Sequence, residues 1–265
     1  MAREAVARGV CERISASMMR RWLAADAIKP WQHRSYTLPH DPQFAVKAAR
    51  VLDLHSRVWQ GEPLGEDDFV LSADEKPGVQ ARYRLHDTLP AGPRRPMRVE
   101  SEYSRGGTLA YFAAYDVHQA RVIGRCASTT GIVPFSRLVD QVMTTEPYTS
   151  ARRVFWIVDN GASHRNRAAA ARMKHAFPSA HMVHLPVHAS WLNQVEIYFS
   201  AVQRETLTPD DFGDLDEVAE RLMSFQGHYN ATVQPIDRTF TAHDLNRLLT
   251  RIGRHDCHAP QPLTA

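Results

Sequence analysis

Three carboxylates stand where this chain could do chemistry. Asp159 ends the apolar run Val154-Phe-Trp-Ile-Val, and Asp74 ends Phe69-Val-Leu-Ser-Ala. Glu196 closes Trp191-Leu-Asn-Gln-Val-Glu, on a helix expected to begin near Trp191 with Ser190 as its cap. Alone, an Asp at a strand end is usually a cap or a turn residue. Two on neighbouring strands are another matter, because carboxylates held side by side repel unless a cation neutralises them. Hard oxygen donors suit Mg²⁺ or Mn²⁺. Three carboxylates can hold two such ions about 3.5–4 Å apart, a pair suited to in-line attack of water or a 3′-hydroxyl on a phosphodiester.

The elements that must position these groups can be read from periodicity. Five consecutive apolar residues before Asp159 predict a strand buried on both faces, as at the centre of a largely parallel sheet. Ligands tend to bind outside the carboxyl ends of such strands. Residues 69–73 predict the first strand, ended by Asp74 and a Pro77-Gly78 turn signal. Residues 108–115 and 120–126 predict a β-hairpin, and residues 134–143 a helix with Pro134 near its first turn. After the strand at 154–158 come a helix over 166–177, a strand over 181–185 and the helix carrying Glu196. On that helix Val195, Phe199 and Val202 mark the buried stripe, while Asn193, Glu196, Ser200 and Gln203 form a neighbouring polar face. Helices over 215–229 and 242–252 close the chain, with the residues after Gly253 expected to be disordered.

That order is the order of a ribonuclease H-like fold: an α/β mixed sheet with flanking helices, its first three strands antiparallel and its fourth and fifth parallel to the first. Strands one and four would then be neighbours, with Asp74 and Asp159 side by side. Ahead of this sheet, Ser15 or Ser17 can cap a helix in which Met19, Trp22 and Leu23 make an apolar stripe. Residues 13–30 look like the second half of a helix-turn-helix, an all-α partial segment, with Arg20 and Arg21 off the stripe and available to DNA. An amphipathic helix with solvated arginines explains the same residues equally well. The expected divisions are 1–35 for this segment, 36–68 for a linker with a helix starting at Phe44, 69–207 for the catalytic domain and 208–265 for C-terminal helices and tail.

Composition limits the remaining classes. The length of 265 residues suffices for a sizeable core in one or two domains. No apolar run approaches the roughly 18 residues of a membrane span, and the N-terminus lacks the apolar stretch of a signal peptide. Three widely spaced cysteines fit a reducing cytoplasm, not a disulfide framework or a CxxC zinc site. A net charge of +3, supplied more by Arg than by Lys, permits a nucleic acid partner without demanding one. His181, His184 and His188 fall in a strand and a Pro-containing loop, a spacing that does not converge on zinc.

Asp74-Glu-Lys, Val158-Asp-Asn-Gly-Ala-Ser-His and Leu185-Pro-Val-His-Ala-Ser-Trp-Leu-Asn-Gln-Val-Glu resemble the three catalytic blocks of insertion-sequence transposases of the mariner-like DDE superfamily (the insertion sequence six-thirty family). Residues 102–115 resemble that family's second-strand block, and 36 residues separate Asp159 from Glu196, within the family's spacing. The resemblance covers roughly residues 69–229. It implies a metal-dependent DNA phosphoryl transferase that cuts transposon ends and joins them to target DNA. Asp74, Asp159 and Glu196 would be the catalytic triad, holding two Mg²⁺ or Mn²⁺ ions.

The resemblance also implies double-stranded DNA as partner, in the form of terminal inverted repeats and a TA-containing target, a homodimer on DNA and a bacterial cytoplasm. It gives supporting places to Asn160 and His164 after the second Asp, and to Asn193, one helical turn before Glu196, as a residue that positions that carboxylate or merely bonds near the helix start. His164 as a turn histidine bonded to backbone is an equal alternative, and Glu75 is the chief rival of Asp74 for the metal. Trp191 is read as a packing residue. Arg94, Arg95, Arg98 and Arg105 could track the DNA backbone, or form a solvated basic loop. The family usually carries two helix-turn-helix units, so an N-terminally short copy is expected here. A nuclease that cuts without joining, and an inactive DNA-binding remnant, are the alternative functions.

Overall fold

A computed structural model describes residues 2–25, 41–161, 163–164, 166–208, 211–232, 234–236 and 240–256. Chain contacts divide the protein into two units, Met1–Leu38 and Pro39–Ala265. The first holds α1 (Ala2–Ala7) and α2 (Ala16–Ala25). Ser15 starts α2: its Oγ accepts the Met18 amide at 3.1 Å, satisfying one of the donors that a helix start leaves open. Arg20 and Arg21 are exposed on α2. The end of the expected helix-turn-helix segment, residues 26–30, and the linker's start and boundary lie outside the described residues.

The second unit opens with α3 (Phe44–His55), whose Phe44, Ala48, Val51, Leu52 and Leu54 are buried. The helix that starts at Phe44 ends at His55, because the chain then turns through Arg57 at φ 57° into a two-strand hairpin, β1 (Val58–Trp59) with β2 (Glu62–Pro63).

The central sheet is built from β3 (Asp68–Tyr83), β4 (Ser104–Asp116), β5 (Arg121–Ala127), β6 (Arg153–Val158) and β7 (Ala180–His184). Their order is β5-β4-β3-β6-β7, antiparallel through β3–β4–β5 and parallel through β3–β6–β7. This is the mixed sheet that the element order predicts. Val154 through Val158 on β6 are completely buried, as a strand covered on both faces requires. One face packs against α3, α6 (Val195–Val202) and α7 (Leu215–Thr232); the other packs against α4 (Ile132–Met143) and α5 (Asn166–Ala176). Burying each large side chain contributes roughly 1.5–3 kcal/mol, so truncation anywhere along Val154–Val158 should be costly.

Two expectations change. The first strand does not stop at Pro77-Gly78: β3 runs on to Tyr83, with the four residues Lys76 to Val79 set against three on β4. A bulge absorbs the extra residue, with Gly78 at φ 66°. Past Ser72 β3 has no register with β6, so Pro77, which lacks an N–H, sits where a ladder bond is not needed on that side. At the other end, α8 (Ala242–Asp256) continues past Gly253, where the sequence suggested disorder. Residues 257–265 lie outside the described residues.

The starts of β3 and β6 are clamped together. Asp68 pairs with Arg153 in register and receives both the Arg152 and Arg153 guanidinium groups and the Gly65 amide. Burial pushes this carboxyl up, but the two arginines outweigh it and hold it well below the usual carboxylate range.

Candidate active site

Ser72 of β3 lies opposite Ile157 of β6 in parallel register. Two residues farther along each strand stand Asp74 and Asp159. Side chains alternate between the faces of a sheet, so two residues on from Ser72 and Ile157 the chain returns to the same face on both strands. Register and alternation together bring the two carboxylates to one place. Among the described residues, the ligand atoms of Asp74, Asp159 and His164 lie within 4.8 Å of one another.

The two acids are held differently. Asp74 is only 8% exposed, and burial, reinforced by the charge of Asp159, pushes its carboxyl up to about 7. Its Oδ1 accepts the Glu75 amide at 2.8 Å. Asp159 moves the other way. The His164 Nε2–H donates to Asp159 Oδ1, and the Gly161 amide donates to the same oxygen at 2.6 Å; together these outweigh burial and lower its pKa. A pair pushed apart in this way is what two like charges in one cleft produce.

The turn after β6 is tight. A Cβ on Gly161 would lie 2.8 Å from Asp159 Oδ1 and 3.1 Å from His164 Nε2, so a larger residue would displace this hydrogen-bonded pair of side chains. His164 is completely buried, its ring 5.0 Å from that of Phe135, and its carbonyl accepts the His184 Nε2–H at 2.8 Å. Its bond is thus to the Asp159 side chain, not the backbone bond of an ordinary turn histidine. Asn160 ties the ends of β6 and β7 together, donating through Nδ2 to the Leu185 carbonyl at 2.9 Å.

Asn193 does something other than expected. The stretch does not form one helix from Trp191: a 3₁₀ turn spans Ser190–Leu192, Asn193 is extended, and α6 begins at Val195. Ser190 makes no side-chain cap, since the α-helix it was expected to start lies farther on. The Asn193 side chain therefore leaves the helix line. Its Nδ2 donates to the Ala73 carbonyl at 3.2 Å and reaches Asp74 Oδ2 at 3.4 Å. It braces Asp74, while only its backbone carbonyl meets Glu196, accepting that amide at 3.1 Å.

Glu196 stands in the first turn of α6, outside the tight group. Burial raises its pKa, Lys76 lowers it and Asp159 raises it, so it shares the field of the cleft from the rim. Glu75 faces the other side of β3: Ser163 Oγ donates to its Oε1 at 3.1 Å, and burial raises its pKa. Alternation turns Glu75 to the opposite face of β3 from Asp74, yet the Asp159 charge also raises its pKa, so Glu75 borders the same cluster; only Asp74 joins the tight group with Asp159 and His164.

The remaining expected residues lie elsewhere. Arg94 and Arg95 are exposed in a small turn closed by Gly92 and Arg95, with Arg94 at φ 59°. Arg105 on β4 is exposed, its guanidinium 5.8 Å from the centre of the Tyr103 ring. Trp191 is half exposed and meets Phe240 edge-on at 4.8 Å. His184 is taken up by the His164 carbonyl, and His181 lies beside Lys174 at 3.2 Å. Sequence reasoning missed the space constraint at Gly161. The signal available was a glycine two residues after an acid whose oxygen needs a backbone donor.

The donor set fits a divalent cation. Two hard carboxylates share a buried cleft, and the ionised form of Asp74 lacks a full counter-charge, which a cation would supply. Residues 70–219 match the DDE superfamily endonuclease family. No curated protein matches the chain in sequence. Among solved structures, the Mos1 mariner paired-end complex with Mn is similar at 14% identity and a TM-score of 0.54, over 96% of this chain and 72% of that one. The corresponding complex with Mg gives 15% identity and a TM-score of 0.54, over 97% and 74%. A pre-cleavage Mos1 transpososome gives 13% and 0.51, over 100% and 76%. At these identities the likeness shows the fold, the ribonuclease H-like arrangement of five strands and flanking helices.

Proposed function

Since this chain belongs to the DDE superfamily of endonucleases, we propose that it is a transposase that cuts DNA at transposon ends and joins the cut ends to target DNA. The observation that carries this reading is the β3–β6 register, which sets Asp74 beside Asp159 in a cleft too short of positive charge for both to ionise freely. Asp74, Asp159 and Glu196 would hold two Mg²⁺ or Mn²⁺ ions; the Mos1 complexes that share the fold are described with Mn and with Mg. Bound ions supply positive charge against the negative charge that builds on the attacked phosphate and its leaving oxygen. The chain's own residues prepare the place. His164 and the Gly161 amide lower the pKa of Asp159 and so favour its ionised form, and the Asn193 amide reaches an oxygen of Asp74. Glu196 closes the site from α6. Water cuts the strand first, and the freed 3′-hydroxyl then attacks target DNA, without a covalent protein–DNA intermediate.

Supercoiled plasmid tests the cutting. Nicking that requires Mg²⁺ or Mn²⁺ and disappears in Asp159→Ala supports the reading; equal nicking by both proteins defeats it. Joining is tested separately, with pre-cut ends and a labelled target. Cutting without joining would make the chain a nuclease only, and DNA retention without metal-dependent cutting would make it a binding remnant. The same reading carries a homodimer on paired ends and a TA target, read from the mass of the DNA complex and from sequenced insertion sites.

A further inference from the structure

The polar face of α6 does not end at Glu196. Ser200 and Gln203 follow it at i+4 and i+7, and all three line one groove whose opposite wall carries Lys76. A second groove shares Lys76 and Gln203 and continues past Pro77 and Gly78 to Arg82. The two grooves adjoin at these side chains and together make a trough from Glu196 along the outer part of β3. The six steps of extended chain from Lys76 to Arg82 span roughly 20 Å.

Both walls depart from regular structure where they meet the trough. β3 carries its bulge between Lys76 and Val79, and α6 passes at Gln203 into a π-helical turn, Gln203–Leu207. Such turns widen a helix and recur at functional sites. Here the widened turn puts Gln203 on the trough, where its Nε2 donates to Thr208 Oγ1 at 2.7 Å. The lining offers donors: the Lys76 ammonium, the Arg82 guanidinium 5.1 Å above the Tyr103 ring, and the Gln203 amide. Arg204 adds a guanidinium whose surface pair with Glu205 is weak enough for a stronger anion to replace. Lys76 is partly buried, which lowers its pKa, while the charge of Glu196 raises it.

We propose that this trough is the path of the DNA backbone flanking the cut, with Lys76 and Arg82 each contacting a phosphate and Gln203 donating between them. The proposal rests on the reading that DNA is the substrate. It assigns the track to this trough, in place of the exposed Arg94-Arg95 turn that the sequence brings forward.

Binding measured by fluorescence anisotropy tests it without any cutting, using the full chain in EDTA with a labelled duplex and a labelled single strand over a KCl series. Each phosphate contact contributes about 0.9 to the slope of log affinity against log salt for duplex and about 0.7 for single strand. Lys76→Gln and Arg82→Gln should each flatten the slope by about that amount on at least one of the two probes. Lys76→Arg should restore it, showing that the loss is of charge and not of folding. Arg137→Gln, exposed on α4 across the sheet, should leave the slope unchanged. Wild-type slopes in both groove variants would overturn the trough while leaving DNA binding intact. Absence of DNA binding by the wild type at any salt would remove the functional reading and the trough with it.

Discussion

Replacing Asp74 with Asn should stabilise the metal-free protein, and only at high pH. Moving a carboxyl from about 3.9 in an unfolded chain to about 7 in the fold corresponds to roughly 4 kcal/mol against the ionised form above pH 7. The sign follows from the raised value. Stability is complete below the unfolded pKa and is lost as pH climbs through the folded one. Asn removes that loss. It also exchanges one acceptor for a donor facing the Asn193 amide, at about 1 kcal/mol. The buried Asn193 Oδ1, without a partner in the structure, can recover part of this by flipping. The net expectation is a gain of about 3 kcal/mol at pH 8, falling to near zero at about pH 4.5, where the two effects cancel. Urea unfolding in EDTA, followed by tryptophan fluorescence, which includes that of the buried Trp156, measures it. With a slope of about 3 kcal/mol per molar, the midpoint should rise by about 1 M at pH 8. A midpoint shift equal at both pH values, or a loss of stability at pH 8, would refute the argument that Asp74 is a destabilised charge awaiting a cation.

Other perturbations reach different parts of the structure. For wild type at pH 8, Mg²⁺ at a hundred times its dissociation constant should raise stability by about 2.7 kcal/mol, and Asp74→Asn should remove most of that rise, as thermal melts would show. Asp68→Asn should cost about 3 kcal/mol at neutral pH, because it leaves Arg152 and Arg153 facing a neutral group. Since the Asp68 carboxyl is held below the usual range, its contribution is present above about pH 4 and is lost as pH falls further; the variant's acid unfolding curve should be correspondingly flatter. Trp156→Ala should cost roughly 3–5 kcal/mol in urea, the effect of emptying a fully buried site. Asn193→Ala should lower metal-dependent nicking about 10- to 100-fold and raise the Mg²⁺ concentration needed for half-maximal rate.

Much of the sheet was legible in the sequence because its strands obey local rules. The run Val154–Val158 admits no polar face, and residues 108–126 carry a hairpin around a short turn, so these three strands could be read directly. Asp159 followed from a strand end; Asp74 was read at one too, although β3 runs on past it to Tyr83. What could not be read depends on partners distant in the chain. Pro77-Gly78 is a strong turn signal, yet continued pairing with β4 overrides it and leaves a bulge. The aim of Asn193 depends on a break between a 3₁₀ turn and α6, which helical spacing alone conceals. The Asp68 clamp was within reach: an acidic pair opens one buried strand, an Arg pair opens its parallel neighbour, and the two starts coincide.

The parallel pairing of β3 with β6 also sets an order in time. Asp68 and Arg153 are 85 residues apart. At synthesis rates of about 5–20 residues per second, β3 leaves the ribosome roughly 4–17 s before the strand that covers its inner edge. During that interval β3, β4 and β5 can close as a meander, since each follows the last through antiparallel pairing. The open side is then the apolar edge of β3, a template for pairing with any other nascent chain. Asp68, waiting for its arginines, keeps a charge at the foot of that edge. The carboxyl that later fixes the position of the cleft thus serves first as a guard against aggregation, and its loss should lower the soluble yield of freshly made protein more than the equilibrium stability alone would indicate.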